Sequence, residues 1–193
     1  MSELQKYNEL RRYDIPSHAR ALNFACFHNL PLLKSERACQ WLADAIIRAL
    51  PKHECDVWAY CFMPTHAHLL VYPRSKQPDM AAFVESIKKS VNRRALTWLR
   101  AHKPDFLPKL LDEQPSGKSS HRFWQRGGGY DRNLWSPRHI WNMIDYIHNN
   151  PVEDHLCPRA TEWPWSSAPS FASRIPGPLP LDHTHLPPDP RHF

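Results

Sequence analysis

Residues 58–72 read Trp58-Ala-Tyr-Cys-Phe-Met-Pro-Thr-His-Ala-His-Leu-Leu-Val-Tyr72 and predict a β-hairpin. Strand-forming residues fill 55–62 and 67–72, and the short connection Met63-Pro-Thr-His66 separates them. Alternate side chains of a strand leave the same face, roughly 7 Å apart, so His66 and His68 would project together. Two imidazoles on one face can bind a single divalent ion, and they can also lie on a solvated strand face.

The segments around this hairpin alternate between strand and helix patterns. Apolar positions recur at three- and four-residue steps after Ser35 and again after Asp79, which predicts two amphipathic helices. We expect Pro51 to end the first of them. Ser136-Pro137 is a strong helix start, and Asn150-Pro151 is expected to end that helix. The predicted order is strand 20–27, helix 35–50, strands 55–62 and 67–72, helix 79–101, strand pieces 121–126 and 130–135, and helix 136–149. This order predicts an α+β fold with a ferredoxin-like antiparallel sheet, helices on one face and an additional C-terminal helix.

The composition fits one globular domain with a basic surface. The chain has 193 residues, is 41% hydrophobic and carries a formal net charge of +6, with a pI near 9.2. It is long enough to bury a core, and its positive charge favours polyanionic partners such as nucleic acids. We expect residues 1–168 to form the domain, with an irregular stretch over 104–120, and residues 169–193 to form a Pro-rich tail.

The sequence also bears on location. No run approaches the roughly 18 apolar residues of a membrane span, and the N-terminus lacks the apolar core of a secretory signal. The five cysteines are odd in number and form no CxxC pair, which favours free thiols in a reducing compartment. These features predict a cytoplasmic protein with no membrane partner.

A second candidate group of functional residues lies in the last predicted helix. Tyr146 and Asn150 are four residues apart, so they lie one above the other on one helical face. A tyrosine is a possible nucleophile, although its ordinary pKa of about 10 requires a neighbouring cation or base. An amide oxygen is a hard ligand suited to Mg²⁺ or Mn²⁺. Helix geometry alone favours the alternative, a half-buried core tyrosine and an asparagine at the helix C-cap.

These segments together resemble a known family of enzymes. His66-Ala-His68 and its surroundings resemble the HUH motif of the single-tyrosine transposases. Four further stretches resemble the motifs of one branch, the REP-associated tyrosine transposases, and the resemblance spans roughly residues 10–170 in order and spacing. These stretches are Phe123-Trp-Gln-Arg126, Tyr130-Asp-Arg132, Tyr146-Ile-His-Asn-Asn-Pro-Val152 and Trp163-Pro-Trp-Ser-Ser-Ala168.

The resemblance implies cleavage and rejoining of single-stranded or hairpin DNA through a 5′-phosphotyrosine. It makes the last predicted helix the catalytic helix, with Tyr146 as nucleophile and His66 and His68 as the catalytic HUH pair. It also implies that His66, His68 and Asn150 hold Mg²⁺ or Mn²⁺; fuller relatives have Gln at the last of these positions. His148 would lie on another helical face, so we expect a structural or DNA-contacting role for it, with metal ligation the weaker alternative.

The basic residues then predict a DNA-binding surface. Cations can follow a DNA backbone, and exposed rings among Trp124, Tyr130 and Trp135 can stack on unpaired bases. The alternative is a solvated helix face and tryptophans that belong to the core. The candidate DNA-binding residues are Arg11, Arg12, Lys88, Lys89, Arg93, Arg94, Arg122, Arg126 and Arg132. The expected partner is single-stranded or hairpin DNA in the nucleoid, bound by a monomer or a homodimer.

Two other functions fit the same sheet. A non-catalytic nucleic-acid-binding module would bind DNA or RNA without cleaving it, but the RNP-like aromatic motif of RRM domains is missing from the sequence. A metal-dependent hydrolase would cleave DNA with water as nucleophile and would never become linked to it.

Overall fold

The computed structural model describes residues 14–192, and its elements follow the predicted order. The strands are β1 (Ala19–Ala25), β2 (Cys55–Phe62), β3 (His66–Pro73), β4 (Leu111–Glu113), β5 (Ser119–His121) and β6 (Tyr130–Leu134). The α-helices are α1 (Glu36–Lys52), α2 (Met80–His102), α3 (Pro137–Glu153) and α4 (Ala168–Ser173). Short 3₁₀ turns cover Phe27–Asn29, Leu32–Lys34, Pro104–Leu110, Ala160–Glu162 and Pro190–His192.

The main sheet has the strand order β2-β3-β1-β6, and neighbouring strands are antiparallel. Two of the four strands, β1 and β3, are therefore central. In the register of this pair Leu22 lies opposite Leu69, and Asn23 lies opposite His68. This order and the helical connections confirm the predicted α+β, ferredoxin-like sheet.

The two faces of the sheet carry separate hydrophobic cores. Ala67, Leu69 and Val71 pack with α1 and α2, whereas Leu70 packs with the apolar side of α3. The period-2 alternation of β3 produces this division. Because His66 and His68 share the parity of Leu70, both histidines face α3. The additional C-terminal helix thus covers the face that carries the histidine pair.

A buried arginine joins the outer strand β6 to the sheet. Arg20 on β1 is 1% exposed, and its guanidinium group bonds both carboxylate oxygens of Asp131 on β6, at 2.8 and 2.7 Å. The same group donates to Asp14 at 2.9 Å and to Asn133 at 3.1 Å. Two parallel bonds from a guanidinium to a carboxylate fix orientation as well as position. Within the Tyr130-Asp-Arg132 stretch, Asp131 therefore has a structural role.

Several boundaries differ from the sequence predictions. Helix α1 includes Pro51 and ends at Lys52, so Pro51 does not end it. The strand piece expected over 121–126 is replaced by β5, which ends at His121, and by an isolated bridge between Trp124 and Cys26.

Helix α3 continues through Pro151 to Glu153 instead of ending at Asn150. The proline ring is buried in the last turn of the packed helix, two residues from its end, so packing offsets the one helical hydrogen bond that proline cannot make. Residues 104–120 were expected to be irregular, but they form a 3₁₀ turn and begin a small β4–β5 hairpin. Fully buried Leu110 anchors this region against Phe27 and Leu96, a long-range contact that local patterns do not show.

The C-terminal part of the chain covers the outer edge of β2. The backbone N–H of Phe62 donates to the carbonyl of Trp165 at 2.8 Å, and that of Ser167 donates to the carbonyl of Tyr60 at 3.0 Å. Further along, buried Leu179 donates to the Tyr60 hydroxyl and Asp182 donates to the carbonyl of Val57. None of the helices over residues 14–192 is long and apolar enough to cross a membrane.

Gly129, just before β6, provides a test of this packing. Its φ is +78°, and a Cβ atom there would lie 2.1 Å from the carbonyl oxygen of Asn23. Gly129→Ala should lower the free energy of unfolding by at least about 2 kcal/mol, measured by urea denaturation. Gly127 is the matched control, because its φ is +77° but nothing lies within 4 Å of the added atom. Gly127→Ala should cost about 1 kcal/mol, and equal losses for the two variants would contradict the close approach.

Candidate active site

The two histidines of β3 lie directly against each other. Their Nε2 atoms are 2.9 Å apart, and the ring planes are nearly perpendicular at 85°. The other ring nitrogen of His66, Nδ1, is 3.0 Å from the hydroxyl of Thr65. A hydroxyl partner at Nδ1 orients the His66 ring and leaves Nε2 directed at His68. The strand alternation predicted from the sequence thus brings both rings to one point.

Burial keeps both rings neutral. Desolvation, reinforced by the neighbouring His66, lowers the pKa of His68 to about 4, and the side chain of Asn150 partly opposes this by hydrogen bonding to His68. Desolvation also lowers the pKa of His66, opposed by the charge of Asp154. A neutral imidazole has the free electron pair that a metal ligand requires, so both rings are chemically competent to bind a cation near neutral pH.

Helix α3 brings Tyr146 and Asn150 to the histidine pair. The Tyr146 ring lies 5.5 Å from the His68 ring and is 48% exposed. Asn150 is buried, and its Nδ2 donates to the backbone carbonyl of Tyr146 at 2.7 Å. That bond leaves the Asn150 side-chain oxygen, Oδ1, available as an acceptor or ligand. The alternative of a helix C-cap asparagine is wrong, because the cap residue is Asp154. The 48% exposure of Tyr146 agrees both with a half-buried structural ring and with a nucleophile.

The amide of Asn150 can supply a third protein ligand. Over residues 14–192, no His, Cys, Asp or Glu side chain joins His66 and His68 to make a metal-holding group of three. Asn150, which contacts His68, is the nearby oxygen donor. The geometry therefore agrees with the predicted set of His66, His68 and Asn150, and the role of each residue stays a prediction.

An open cleft of about 380 Å³ leads to this group. Its polar and aromatic wall consists of Asn23, His68, Tyr130 and Tyr146, with Met143 on the helix side. Sequence reasoning missed Asn23, which lies opposite His68 in the sheet. The sequence signal for Asn23 was a polar residue within the apolar first strand. Locating Asn23 beside His68, however, requires the register between β1 and β3.

His148 has a structural position behind the catalytic face. It is 9% exposed, its Nε2 lies 2.7 Å from the Ser167 hydroxyl, and its ring packs edge-on against Phe171. Desolvation lowers its pKa to about 4. Ser167 also accepts a bond from the backbone N–H of Tyr60, so one hydroxyl joins α3 to β2. These contacts favour the structural role over contact with DNA.

The predicted DNA-binding residues fall on several surfaces. Arg132 is exposed and lies opposite Ala21, on the sheet face that carries the histidines. Arg93 is exposed on α2, and Arg94 forms an ion pair with Asp44 of α1. Four others, Lys88, Lys89, Arg122 and Arg126, line one separate cleft. Arg11 and Arg12 lie outside the described residues.

The three candidate stacking rings have different environments. Trp124 is 3% exposed and packs edge-on against Phe24, so it belongs to the core and the expectation that it stacks on bases is wrong. Trp135 is 67% exposed and stacks on His18, while Tyr130 is 45% exposed in the catalytic cleft. Of the three candidates, Tyr130 is therefore the exposed ring that lines the cleft of the candidate site.

Comparison with known proteins identifies similar chains. No protein-family model matches the chain. A Haemophilus influenzae protein described as a REP-associated tyrosine transposase is 26% identical over 143 residues, which is 70% of this chain and 76% of that protein. The resemblance to the REP-associated tyrosine transposases is confirmed.

One solved structure shares the fold. The structure of a REP-associated tyrosine transposase bound to a REP hairpin matches with a TM-score of 0.66 and 19% identity, over 94% of this chain and 92% of that one. A Deinococcus radiodurans protein described as a transposase matches with a TM-score of 0.43 and 20% identity, over 72% of this chain and 95% of that one. The first match supports the ferredoxin-like arrangement with the helix across the histidine face.

The bond between His148 and Ser167 can be tested by a double-mutant cycle. His148→Ala and Ser167→Ala should each lower the free energy of unfolding by about 1–3 kcal/mol, because each leaves a buried polar group without its partner. The coupling energy should be about 1 kcal/mol, measured by chemical denaturation of both single variants and the double variant. His139 is exposed on the same helix, and His139→Ala should change stability by less than about 0.5 kcal/mol. Additive losses would contradict the bond.

Proposed function

We propose that this protein is a REP-associated tyrosine transposase that cleaves and rejoins single-stranded or hairpin DNA. The observation that carries the proposal is the half-exposed Tyr146 ring beside the His66–His68 pair, with Asn150 bonded beneath it on α3. The named relatives support the assignment of DNA processing, and the REP hairpin bound to the solved relative supports the substrate class.

The donor set fits Mg²⁺ or Mn²⁺. His66 and His68 supply neutral imidazoles, and Asn150 supplies a hard amide oxygen, so three protein ligands leave further positions for phosphate oxygens. When bound, a divalent ion would polarise the scissile phosphate and stabilise negative charge on the leaving 3′-oxygen. Asn150 links the two functions, because its side chain contacts His68 with one end and the Tyr146 carbonyl with the other.

The chemical step belongs to Tyr146. Its phenolic oxygen attacks phosphorus and forms a phosphotyrosine bond to the 5′ side of the break, while the bond from phosphorus to the 3′-oxygen breaks. The phenol proton leaves to solvent, which reaches the half-exposed ring, and the 3′-oxygen takes up a proton. In the reverse direction a 3′-hydroxyl attacks the phosphotyrosine and releases Tyr146. One phosphodiester is exchanged for another, so rejoining requires no nucleotide hydrolysis.

The surface around Tyr146 suits a single strand. Tyr130 and Tyr146 expose their rings in one cleft, and stacking on aromatic rings holds unpaired bases without regard to sequence. Exposed Arg132 lies on the same face of the sheet and can contact a phosphate. A cytoplasmic, nucleoid location and a monomeric or dimeric state stay predictions.

The nucleophile assignment predicts a covalent complex. Incubation with 5′-flanked hairpin or single-stranded DNA and Mn²⁺ should give a protein–DNA adduct on a denaturing gel, and Tyr146→Phe should abolish it because phenylalanine has no attacking oxygen. Tyr130→Phe is the matched control, since this tyrosine is equally exposed in the same cleft and should keep most of the adduct. An adduct with Tyr146→Phe would refute the assignment. Cleavage that never traps protein would indicate the hydrolase, and binding without cleavage would indicate the non-catalytic module.

The ligand assignment predicts a loss of metal binding. Asn150→Ala should weaken Mn²⁺ binding at least about tenfold, measured by calorimetry on the free protein, and should lower adduct formation at limiting Mn²⁺. A chelator should abolish the adduct. Asn149→Ala is the control, because Asn149 is the exposed neighbour of buried Asn150 on the same helix. Equal Mn²⁺ affinity in Asn150→Ala and the parent would exclude Asn150 as a ligand.

A further inference from the structure

The face of β1 that is turned toward α3 carries one polar side chain among small apolar ones. Ala19 and Ala21 pack on the α3 side of the sheet, and alternate residues of a strand share a face. Asn23 and Ala25 therefore face the same way, and Asn23 lines the catalytic cleft. Asparagine is disfavoured in strands, and a further alanine would continue the pattern. A local exception of this kind on a central strand indicates a functional role.

The register of the sheet places Asn23 between two other residues of the site. It lies directly opposite His68 of β3 on one side and Tyr130 of β6 on the other. Directly opposed residues project from the same face, with Cβ atoms about 5 Å apart. The Tyr146 ring lies 5.5 Å from the His68 ring and lines the same cleft. The Asn23 amide is thus close to both the candidate nucleophile and a candidate metal ligand.

The Asn23 amide is both available and fixed in position. Its side chain makes no hydrogen bond to another residue of the described chain, so its two N–H donors can meet a ligand. Its backbone is paired on both sides, with β3 and with β6. The close approach of Gly129 to its carbonyl oxygen further restricts this part of β1. A donor that is held in this way needs little reorganisation when a substrate binds.

The catalytic cleft offers a phosphate few other donors. Its lining within residues 14–192 includes no Lys or Arg. Exposed Arg132 lies one pair further along the sheet, opposite Ala21, and does not line the cleft. Both histidines are neutral near neutral pH, because burial lowers the pKa of each ring. A phosphate oxygen that points toward β1 therefore meets the neutral amide of Asn23.

We propose that Asn23 is a catalytic residue whose Nδ2 donates a hydrogen bond to a non-bridging oxygen of the scissile phosphate. This inference rests on the proposed function and adds a residue to it. As the phenolic oxygen of Tyr146 bonds to phosphorus and the bond to the 3′-oxygen breaks, the non-bridging oxygens carry the negative charge. A fixed N–H group directed at them stabilises the transition state more than the bound substrate. No proton passes to or from Asn23.

Three nearby side chains then have separable effects. Asn150, the candidate ligand, should govern the affinity for Mn²⁺. Arg132, outside the cleft, should govern the affinity for DNA through a flanking phosphate. Asn23 should govern the rate of the chemical step at saturating DNA and Mn²⁺, because its bond matters most in the transition state.

The first test measures single-turnover adduct formation at saturating single-stranded DNA and Mn²⁺. Asn23→Ala should lower the rate about 100-fold, as expected for the loss of one donor to a transition state. Mn²⁺ affinity by calorimetry, and DNA affinity in the presence of a chelator, should stay within twofold of the parent. The urea midpoint should not fall, because the amide has no protein partner to lose. Asn149→Ala removes an exposed amide from α3 and should match the parent in rate.

The second test replaces one non-bridging oxygen of the scissile phosphate by sulfur, a poor hydrogen-bond acceptor, after the cleavage position has been mapped on a sequencing gel. The two phosphorothioate diastereomers are compared in the parent and in Asn23→Ala. For one diastereomer, sulfur should slow the parent at least about fivefold more than it slows Asn23→Ala, because the variant has no bond left to lose. For the other diastereomer, sulfur should slow both proteins equally.

The outcomes separate this role from a structural one and from the proposed function itself. An unchanged rate in Asn23→Ala would overturn the role of Asn23. So would a lower urea midpoint with weaker DNA binding, or equal sulfur effects in the two proteins for both diastereomers. These results would leave the nicking function in place as long as the parent forms the adduct. A parent that forms no adduct would overturn the nicking function, and the role of Asn23 with it.

Discussion

The position of β3 between two cores is the constraint on which the site depends. Strand β3 is hydrogen-bonded on both sides, and its alternate residues are buried against α1 and α2 or against α3. A shift of one residue would turn Leu69 and Val71 out of their core and drive His66 and His68 into it. The packing of apolar residues therefore fixes the histidines. The positions of the two candidate site histidines are thus set by the packing of their apolar neighbours in β3.

Helix α3 completes the site because other contacts hold it against the sheet. Its inner side packs Ile140, Ile144 and Ile147 on the sheet, and the His148–Ser167 bond links it to the edge of β2. Tyr146 and Asn150 lie on either side of His148 in the sequence, so one attachment restrains both. The Trp163–Ala168 segment, which bonds to β2, thereby supports the geometry of the candidate site.

Local patterns were sufficient for the parts of the site that depend on one element. Strand alternation placed His66 with His68, and helix spacing placed Tyr146 over Asn150. Contacts between distant segments were beyond such patterns: Asn23 required the β1–β3 register, and the sharing of Asp112 by Arg122 and Arg126 required the fold of residues 104–126. Trp124 was ambiguous because Arg122 and Arg126 lie two residues away on either side in the sequence, while its ring packs against Phe24 and Phe123. Pro151 was misjudged because burial outweighed the loss of one hydrogen bond.

The segment that covers β2 has a consequence for solubility. The outer strand of a sheet presents unpaired N–H and C=O groups, which can recruit a strand from another molecule. Here Trp165 and Ser167 occupy those groups on Phe62 and Tyr60, and residues up to Asp182 extend the cover. A strand as apolar as β2, buried along its whole length, would otherwise be a template for aggregation. Proline has no backbone N–H to donate. The proline-rich C-terminal region is therefore a poor partner for a further strand, and the sheet ends at this edge.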